Sequence, residues 1–249
     1  MASLDHKHII RLIGIACEES SVRSPFLMVL ELAPLGPMIS FLQSPAGHSL
    51  SVRDILVLML QVSMGMQYLE SKNYVHRDLA ARNVLLVSES FAKISDFGMS
   101  RALGIGKDYY RAKSGSKWPL KWFAPECIYY FKFSSKSDVW AFGVTLWEAL
   151  SYGARPYDGM DSVEILRFLN ANEKRQRLPP PPATPPLVQD LMSKCWSFRP
   201  EDRPTFAQIV QSLTSYLFLP SSSSAAAAAT ASPPASANTG SASTVVAAS

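Results

Sequence analysis

The stretch His76-Arg77-Asp78-Leu79-Ala80-Ala81-Arg82-Asn83 is followed, twelve residues past Asn83, by Ser95-Asp96-Phe97-Gly98 and later by Ala124-Pro125-Glu126. Each piece is too short to mean much alone; the order and spacing of all three decide the reading. Upstream, Ser51 to Leu69 places Ile55, Leu58, Met59, Val62, Met66 and Leu69 close to helical spacing, with Ser51 and Asp54 set as an N-terminal cap, which predicts a long buried helix. Downstream, Ser137 to Tyr152 reads likewise, followed by shorter helical patterns at Ser162 to Ala171, Pro186 to Cys195 and Phe206 to Tyr216. Nearer the start, Ile9 to Cys17 and Phe26 to Ala33 are short apolar runs separated by Ser and Pro, which predicts two neighbouring strands. The expected class is α+β, with a small sheet remnant first and a mainly helical carboxyl half. One domain is expected over residues 1–216. Residues 217–249 are expected to be a disordered tail, since Ser221 to Ser249 holds no charge or aromatic group to organise a core.

Composition narrows the field. A chain of 249 residues with 47% hydrophobic content has ample material for a sizeable core. The formal charge, 24 − 20 = +4, is spread without a Lys/Arg run that would read as a nucleic-acid or polybasic membrane patch. Cys17, Cys127 and Cys195 lie far apart and form no C-x-x-C pair, which fits a reduced cytosol. Asp5, His6, Lys7 and His8 stand where an export signal would need an apolar run, and the most apolar stretch, Ile55 to Leu60, is far shorter than the ~20 residues of a membrane span. A cytoplasmic protein with neither a membrane span nor a nucleic-acid partner is expected.

The three opening motifs are those of the protein-kinase catalytic loop, magnesium motif and activation-segment end. Phosphoryl transfer is chiefly positioning and charge stabilisation, because the γ-phosphate spreads negative charge while the attacking hydroxyl must lie in line. Asp78 would accept and orient that hydroxyl, a role worth roughly 10²–10⁴-fold in rate. Asn83 and Asp96 offer hard oxygen ligands for Mg2+ bridging the phosphates of ATP.

A further resemblance is to tyrosine kinases. Ala80-Ala81-Arg82 stands where serine/threonine kinases carry a lysine-containing loop, and Lys117-Trp118-Pro119-Leu120-Lys121-Trp122 resembles the segment that supports a substrate phenol. A proline there gives the ring a flat apolar surface and leaves room for a side chain longer than serine. Met64-Gly65-Met66-Gln67-Tyr68-Leu69, Ala92 to Gly98, the Tyr109-Tyr110 pair and Tyr130 to Val144 closely resemble the Syk family, over Met1 to about Tyr216. Leu32-Ala33-Pro34-Leu35-Gly36 and Gly98-Met99-Ser100-Arg101 lean toward its ankyrin-repeat-bearing Shark branch.

That resemblance implies a two-lobed kinase fold and a set of roles. Asp78, Arg82 and Asn83 would be catalytic, and Asn83 and Asp96 would hold the metal. Leu30 would be the gatekeeper, Glu31 and Ala33 would offer backbone groups to adenine, and Leu85 would form the pocket floor; core leucine is equally the default for Leu30 and Leu85. Pro119, Lys121 and Trp122 would contact substrate. His76, Phe97, Gly98, Glu126, Asp138 and Arg203 would be structural, Asp138 bracing the catalytic loop and Glu126 pairing with Arg203. Tyr109 and Tyr110 would receive an activating phosphate from an upstream tyrosine kinase, with Arg77 as its ligand. Pro179 and Pro182 satisfy P-x-x-P, but kinases of this family carry a proline-bearing connection between helices here, and that reading is preferred to an SH3-type partner.

The departures matter too. By the resemblance, Met1 to Asp5 ends the helix that carries a lysine-pairing glutamate, and neither that glutamate, a G-x-G-x-x-G loop, a V-A-I-K strand nor an SH2 module is found in the sequence. The N-terminal lobe is therefore expected to be incomplete and the chain as written weakly active or inactive. Two functions stay open: an ATP:protein-tyrosine phosphotransferase acting on protein substrates, or a pseudokinase or docking module that presents Tyr109 and Tyr110 without catalysis.

Overall fold

The computed structural model describes residues 4–16, 27–104, 107–112, 119–170 and 177–218. Residues 1–3 of the expected helix end, Cys17 and Phe26 at the expected strand ends, Lys117 and Trp118 of the expected substrate segment, Ala171, and residues 219–249 of the expected tail lie outside them. Leu217 and Phe218, expected in that tail, instead end the last helix, and Leu217 is buried in the core, so the folded part runs two residues further than the sequence suggests. The described residues as far as Leu217 form one compact unit.

Strands β1 (Leu12–Ala16) and β2 (Leu27–Leu30) pair antiparallel, from Leu12 opposite Leu30 to Ala16 opposite Leu27. Both are shorter than the apolar runs suggest. Ile9 and Ile10 belong instead to the core, where Ile9 bridges Ile94 and the Ile10 N–H donates to the Ile94 carbonyl at 2.8 Å. After β3 (Gly36–Pro37) come two helices of four or five residues, α1 (Met38–Leu42) and α2 (Pro45–His48), which are too short to show a period in the sequence.

Helix α3 (Val52–Ser71) starts where the sequence places it. The Ser51 hydroxyl accepts from Asp54 N–H at 3.2 Å, and Ser51 N–H donates to the Asp54 carboxylate at 2.9 Å, so each residue satisfies a donor at the helix start that would otherwise be orphaned. The apolar stripe expected for it is buried throughout, each such side chain contributing ~1.5–3 kcal/mol.

Beyond α3, β4 (Tyr74–Val75) leads into the loop from His76 to Asn83, which passes to β5 (Val84–Ser88) and β6 (Phe91–Ile94). The order β3-β5-β6 makes a three-stranded antiparallel sheet. Two-residue strands follow: β7 (Arg101–Ala102) pairs with β4, and β8 (Tyr110–Arg111) pairs with β9 (Lys132–Phe133) across helix α4 (Pro125–Tyr130).

Helix α5 (Ser135–Leu150) starts and ends two residues before the expected span; at its start the Ser134 N–H donates to the Ser137 hydroxyl at 3.0 Å and the Ser137 N–H to the Ser134 carbonyl at 3.0 Å, which places the cap at Ser134. It is buried on nearly every face. A side chain at Gly143 would put its Cβ 2.6 Å from Trp196 Nε1 and 2.9 Å from Cys195 Cβ, so glycine is what lets α7 (Pro186–Cys195) lie against α5. Helices α6 (Ser162–Asn170) and α8 (Phe206–Phe218) complete the helical half. Ahead of α7, the proline run is folded into the unit. Trp147 Nε1 donates to the Pro179 carbonyl at 2.7 Å, Pro181 is buried, and Ala183 takes a φ of 62° in a turn closed by Thr184 on the Pro181 carbonyl. That is a helix connection, not a free polyproline strand. Among the described residues, no helix is long and apolar enough to cross a membrane.

Candidate active site

The loop from His76 to Asn83 is pinned from below by α5. Asp138, in the first turn of that helix and buried, accepts the His76 N–H at 2.7 Å and the Arg77 N–H at 2.9 Å on its two carboxylate oxygens. This holds Arg77 at a φ of 71°, a left-handed backbone that a non-glycine residue keeps only when its surroundings impose it. His76, wholly buried, accepts the Asp78 N–H on Nδ1 at 3.2 Å and faces the Ser95 carbonyl with Nε2 at 3.1 Å, which fixes the neutral ring with its proton on Nε2. Burial pushes its pKa down to about 4. One imidazole thus ties the catalytic-loop backbone to the residue before Asp96, and the Phe97 ring lies 5.2 Å from it.

Above this base the functional side chains converge. Asp78 pairs with Arg82 through Oδ1, and its Oδ2 accepts from Asn83 Nδ2 at 2.9 Å. Asn83 Nδ2 also donates to the Asp78 carbonyl at 2.7 Å. Both partners of that nitrogen are acceptors, so the Asn83 carboxamide oxygen points elsewhere and is left for another ligand. Burial raises the Asp78 pKa above the usual carboxylate value, against the opposing pull of Arg82 and Asn83; the nearby Asp96 charge pushes the same way as burial. Asp96 is exposed at a φ of 56° and accepts the Gly98 N–H at 3.1 Å. Ser95 joins the two halves by donating its N–H and its hydroxyl to the Asn83 carbonyl, at 2.8 and 2.9 Å. No cluster of three His, Cys, Asp or Glu residues forms a ready cage among the described residues. A site made of one carboxylate, one amide oxygen and a nucleotide's phosphates suits Mg2+, which keeps waters and phosphate oxygens in its shell. The donor set present fits that ion.

The sequence-predicted substrate segment folds toward the same loop. Pro119 leads a 3-10 turn over Leu120–Trp122, the Trp122 ring stacks 4.4 Å from the Arg82 guanidinium, and Lys121 Nζ donates to the Tyr157 carbonyl at 3.1 Å. The lysine expected to meet substrate is thus anchored to the protein itself.

Tyr110 pairs with Phe133 across β8 and β9, and the Arg77 guanidinium lies between the two rings, 4.7 Å from Tyr110 and 4.4 Å from Phe133. Arg77 also donates to the Met99 carbonyl at 3.1 Å. Of the doublet, Tyr110 is thus the one beside Arg77; Tyr109 is exposed, with its ring under the Lys132 ammonium at 4.7 Å. Glu126 and Arg203 form the expected buried pair, at 2.6 and 2.8 Å on two parallel contacts.

Of the residues expected to meet nucleotide, Leu30, Ala33 and Leu85 are half-buried against one core, with Leu85 opposite Pro37 and Lys93. The Glu31 N–H donates to the Arg11 carbonyl, and the Ala33 carbonyl closes a turn on Gly36 N–H, both at 3.0 Å. Two acidic side chains complete the region: that of Glu31, named above only for its backbone, and that of Glu148, which sequence reasoning passed over. The Glu31 side chain ties the end of β2 to β6, accepting from Lys93 Nζ at 2.6 Å and Arg11 N–H at 2.7 Å; burial works against its ionised form, but these donors hold its pKa below the usual value. Glu148, buried in α5, accepts from Ala81 N–H at 3.0 Å and Trp122 Nε1 at 2.8 Å on a single oxygen. Burial pushes its pKa up to about 7, opposed by those two donors and by Arg82. Its need for a partner was legible, since from Val139 to Leu150 it is the one charged residue in an otherwise almost wholly apolar run, but the identity of that partner was not.

Asp138 carries a testable pH dependence. Burial raises its pKa from 3.8 to about 7, against the lowering effect of the Arg77 and His76 N–H groups. Between those values the folded chain holds the proton and the unfolded chain does not, so this group's stabilisation is full below about pH 4 and lost as pH rises through about 7. An amide does not titrate, so the stability lost in Asp138→Asn is expected to be larger at pH 5 than at pH 8. His76 titrates in the opposite sense, since its depressed pKa gives stability that is lost as pH falls, but it is common to both proteins and cancels in the difference. Urea midpoints at the two pH values measure this; a loss that is equal at both, or larger at pH 8, contradicts it.

A family model described as protein tyrosine and serine/threonine kinase matches residues 1–213. The fold and this match together define the class as protein kinase. The chain is 51% identical over 213 residues to the tyrosine-protein kinase ZAP-70 of Homo sapiens, covering 86% of this chain and 33% of that protein. It is 49% identical over 218 residues to the tyrosine-protein kinase SYK of Gallus gallus, covering 88% and 34%. To the tyrosine-protein kinase Shark of Drosophila melanogaster it is 45% identical over 212 residues, covering 85% and 22%. The chain belongs to the Syk family of protein-tyrosine kinases. It spans about a third of the length of ZAP-70 and SYK, and its identity to both exceeds that to Shark, opposite to the lean of Leu32–Gly36 and Gly98–Arg101.

Proposed function

We propose that this chain carries the phosphotransfer centre of a non-receptor, cytoplasmic protein-tyrosine kinase, moving the γ-phosphate of ATP to tyrosine hydroxyls of proteins in intracellular signalling. The observation that carries the reading is the Asp78 carboxylate, held between Arg82 and Asn83 on a backbone that Asp138 and His76 fix. A carboxylate has about four acceptor positions. Arg82 and Asn83 use two, and the others remain to accept a substrate hydroxyl, orient it in line and take its proton.

The remaining residues bind and align. Leu30 and Leu85 enclose adenine, and the backbone at Glu31 and Ala33 hydrogen-bonds it. Asn83 and Asp96 hold Mg2+, which when bound supplies positive charge to the phosphates. Pro119 and Trp122 support the phenol, with Lys121 bracing their segment on Tyr157. Tyr109 and Tyr110 are the sites of control by an upstream tyrosine kinase, with Arg77 as phosphate ligand.

The test is acceptor choice. The full-length protein, meaning here this chain joined to the glycine-rich loop, strand lysine and helix glutamate that the resemblance implies, is given Mg2+, ATP and two peptides that differ only in Tyr or Ser at one position, and phosphate is expected on the tyrosine. Equal or greater transfer to serine would overturn the tyrosine reading, and no transfer to either would favour the docking module.

A further inference from the structure

The buried Glu148 is not one of the groups that reach nucleotide or substrate, yet it joins the two segments that do. Its Oε2 receives both the Ala81 N–H, from the middle of the catalytic loop, and the Trp122 indole N–H, from the segment after Pro119. The Trp122 ring in turn stacks on the Arg82 guanidinium at 4.4 Å, and Arg82 pairs with Asp78. The path from Glu148 to the Asp78 carboxylate therefore runs through one aromatic ring and one guanidinium, each held on both sides.

Chemistry explains why a carboxylate sits at the branch. An indole N–H can only donate, and so can a backbone N–H; bringing both to one point requires an oxygen with two lone pairs available. An apolar residue here would leave both donors buried and unmet, at ~1–3 kcal/mol each. Because Glu148 stands on the same helix as Asp138, one rigid element sets both the backbone of the catalytic loop and the distance from that loop to the substrate-supporting segment.

We propose that Glu148 is a positioning residue for transfer to tyrosine: by clamping Ala81 and Trp122 on one oxygen it fixes Arg82 against Asp78 and sets where a phenol hydroxyl can meet the base. This rests on the phosphotransfer reading above. The clamp acts on the acceptor side, so it leaves adenine contacts untouched. Misplacement of about 1 Å at a reacting centre costs up to 10²-fold. Glu148→Ala is accordingly expected to lower kcat for a tyrosine peptide by roughly 10–100-fold, with KM for ATP changed by less than about twofold. Glu148→Gln keeps an acceptor oxygen at the branch and is expected to retain most activity. Trp122→Phe removes the other end of the clamp and should lose activity comparably, and the double variant should lose little more, as two members of one unit do.

The experiment is steady-state kinetics on the full-length protein and these four variants, with amide hydrogen exchange of the 76–83 and 119–124 segments beside it. Loss of protection in both segments in Glu148→Ala, with protection elsewhere kept, is expected. If Glu148→Ala does not fold, the same two readouts on Trp122→Phe and Glu148→Gln decide. Additive losses, a KM for ATP that rises as kcat falls, Glu148→Gln as impaired as Glu148→Ala, or unchanged exchange in both segments would overturn the proposal. An inactive wild type would overturn the kinase reading instead, and the exchange arm would still report whether the clamp exists.

Discussion

Glu126→Ala is expected to cost the folded unit ~3–5 kcal/mol, and Arg203→Met somewhat less, because each breaks a buried ion pair from a different side. The Arg203 side chain is 0% exposed and the Glu126 side chain 13%. All five guanidinium donors of Arg203 are used: Nε on the Ser197 carbonyl, Nη1 on Glu126 and the Lys136 carbonyl, and Nη2 on Glu126 and the Phe198 carbonyl, at 2.6 to 3.2 Å. With Glu126 gone, the guanidinium cannot shed its proton and two of its donors lose their charged acceptor, so a buried charge is left without its partner. With Arg203 replaced by a methionine of similar length, the Glu126 carboxylate keeps partial access to solvent and can take up a proton. The loss in the double variant Glu126→Ala with Arg203→Met should be far less than the sum, since neither charge is then stranded. Urea unfolding of the three variants measures this. Losses below ~1 kcal/mol for Glu126→Ala, or a double variant that is simply additive, would remove the pair from its structural role.

How much of this was legible depended on whether a feature is set locally. The catalytic loop could be read because its chemistry demands particular side chains at fixed short spacing, and the structure brings Asp78, Arg82 and Asn83 into mutual contact. The α3 cap is equally local, a Ser and an Asp three residues apart satisfying two helix-start donors. The true extent of the first strand was not legible. An apolar run does not say which of its residues face inward, and Ile9 and Ile10 are claimed by β6, which lies more than eighty residues away in sequence. The pairs β4–β7 and β8–β9 are two residues long and exist because tertiary packing brings them together. Asp138 could be assigned from the family's pattern, whereas Glu148 on the same helix required knowing that Trp122 folds back over Ala81. Arg77 was expected near the tyrosine doublet, but the strand pairing that selects Tyr110 over Tyr109 as its neighbour is non-local.

Asp78→Asn in the full-length protein is expected to lower phosphotransfer to tyrosine by roughly 10²–10⁴-fold, the worth of a positioned base. The substitution keeps the side chain's shape and one oxygen, which suffices for either the Arg82 or the Asn83 contact. What it removes is the charge and the ability to take the hydroxyl proton. Asparagine gives up one of the two contacts, but burial already works against the ionised form of Asp78, so the net cost to the fold is expected to be small. The melting temperature is expected to stay within about 2–4 °C of wild type, the shift that ~1 kcal/mol produces in a domain of this size. The measurement is therefore paired: tyrosine-peptide phosphorylation rate and melting temperature for wild type and Asp78→Asn, under one Mg2+ and ATP condition. A rate that collapses while the melting temperature holds is the expected result. Phosphotransfer retained in a variant that melts like wild type would contradict the account, because the one carboxylate around which this loop is built would then have no part in the reaction.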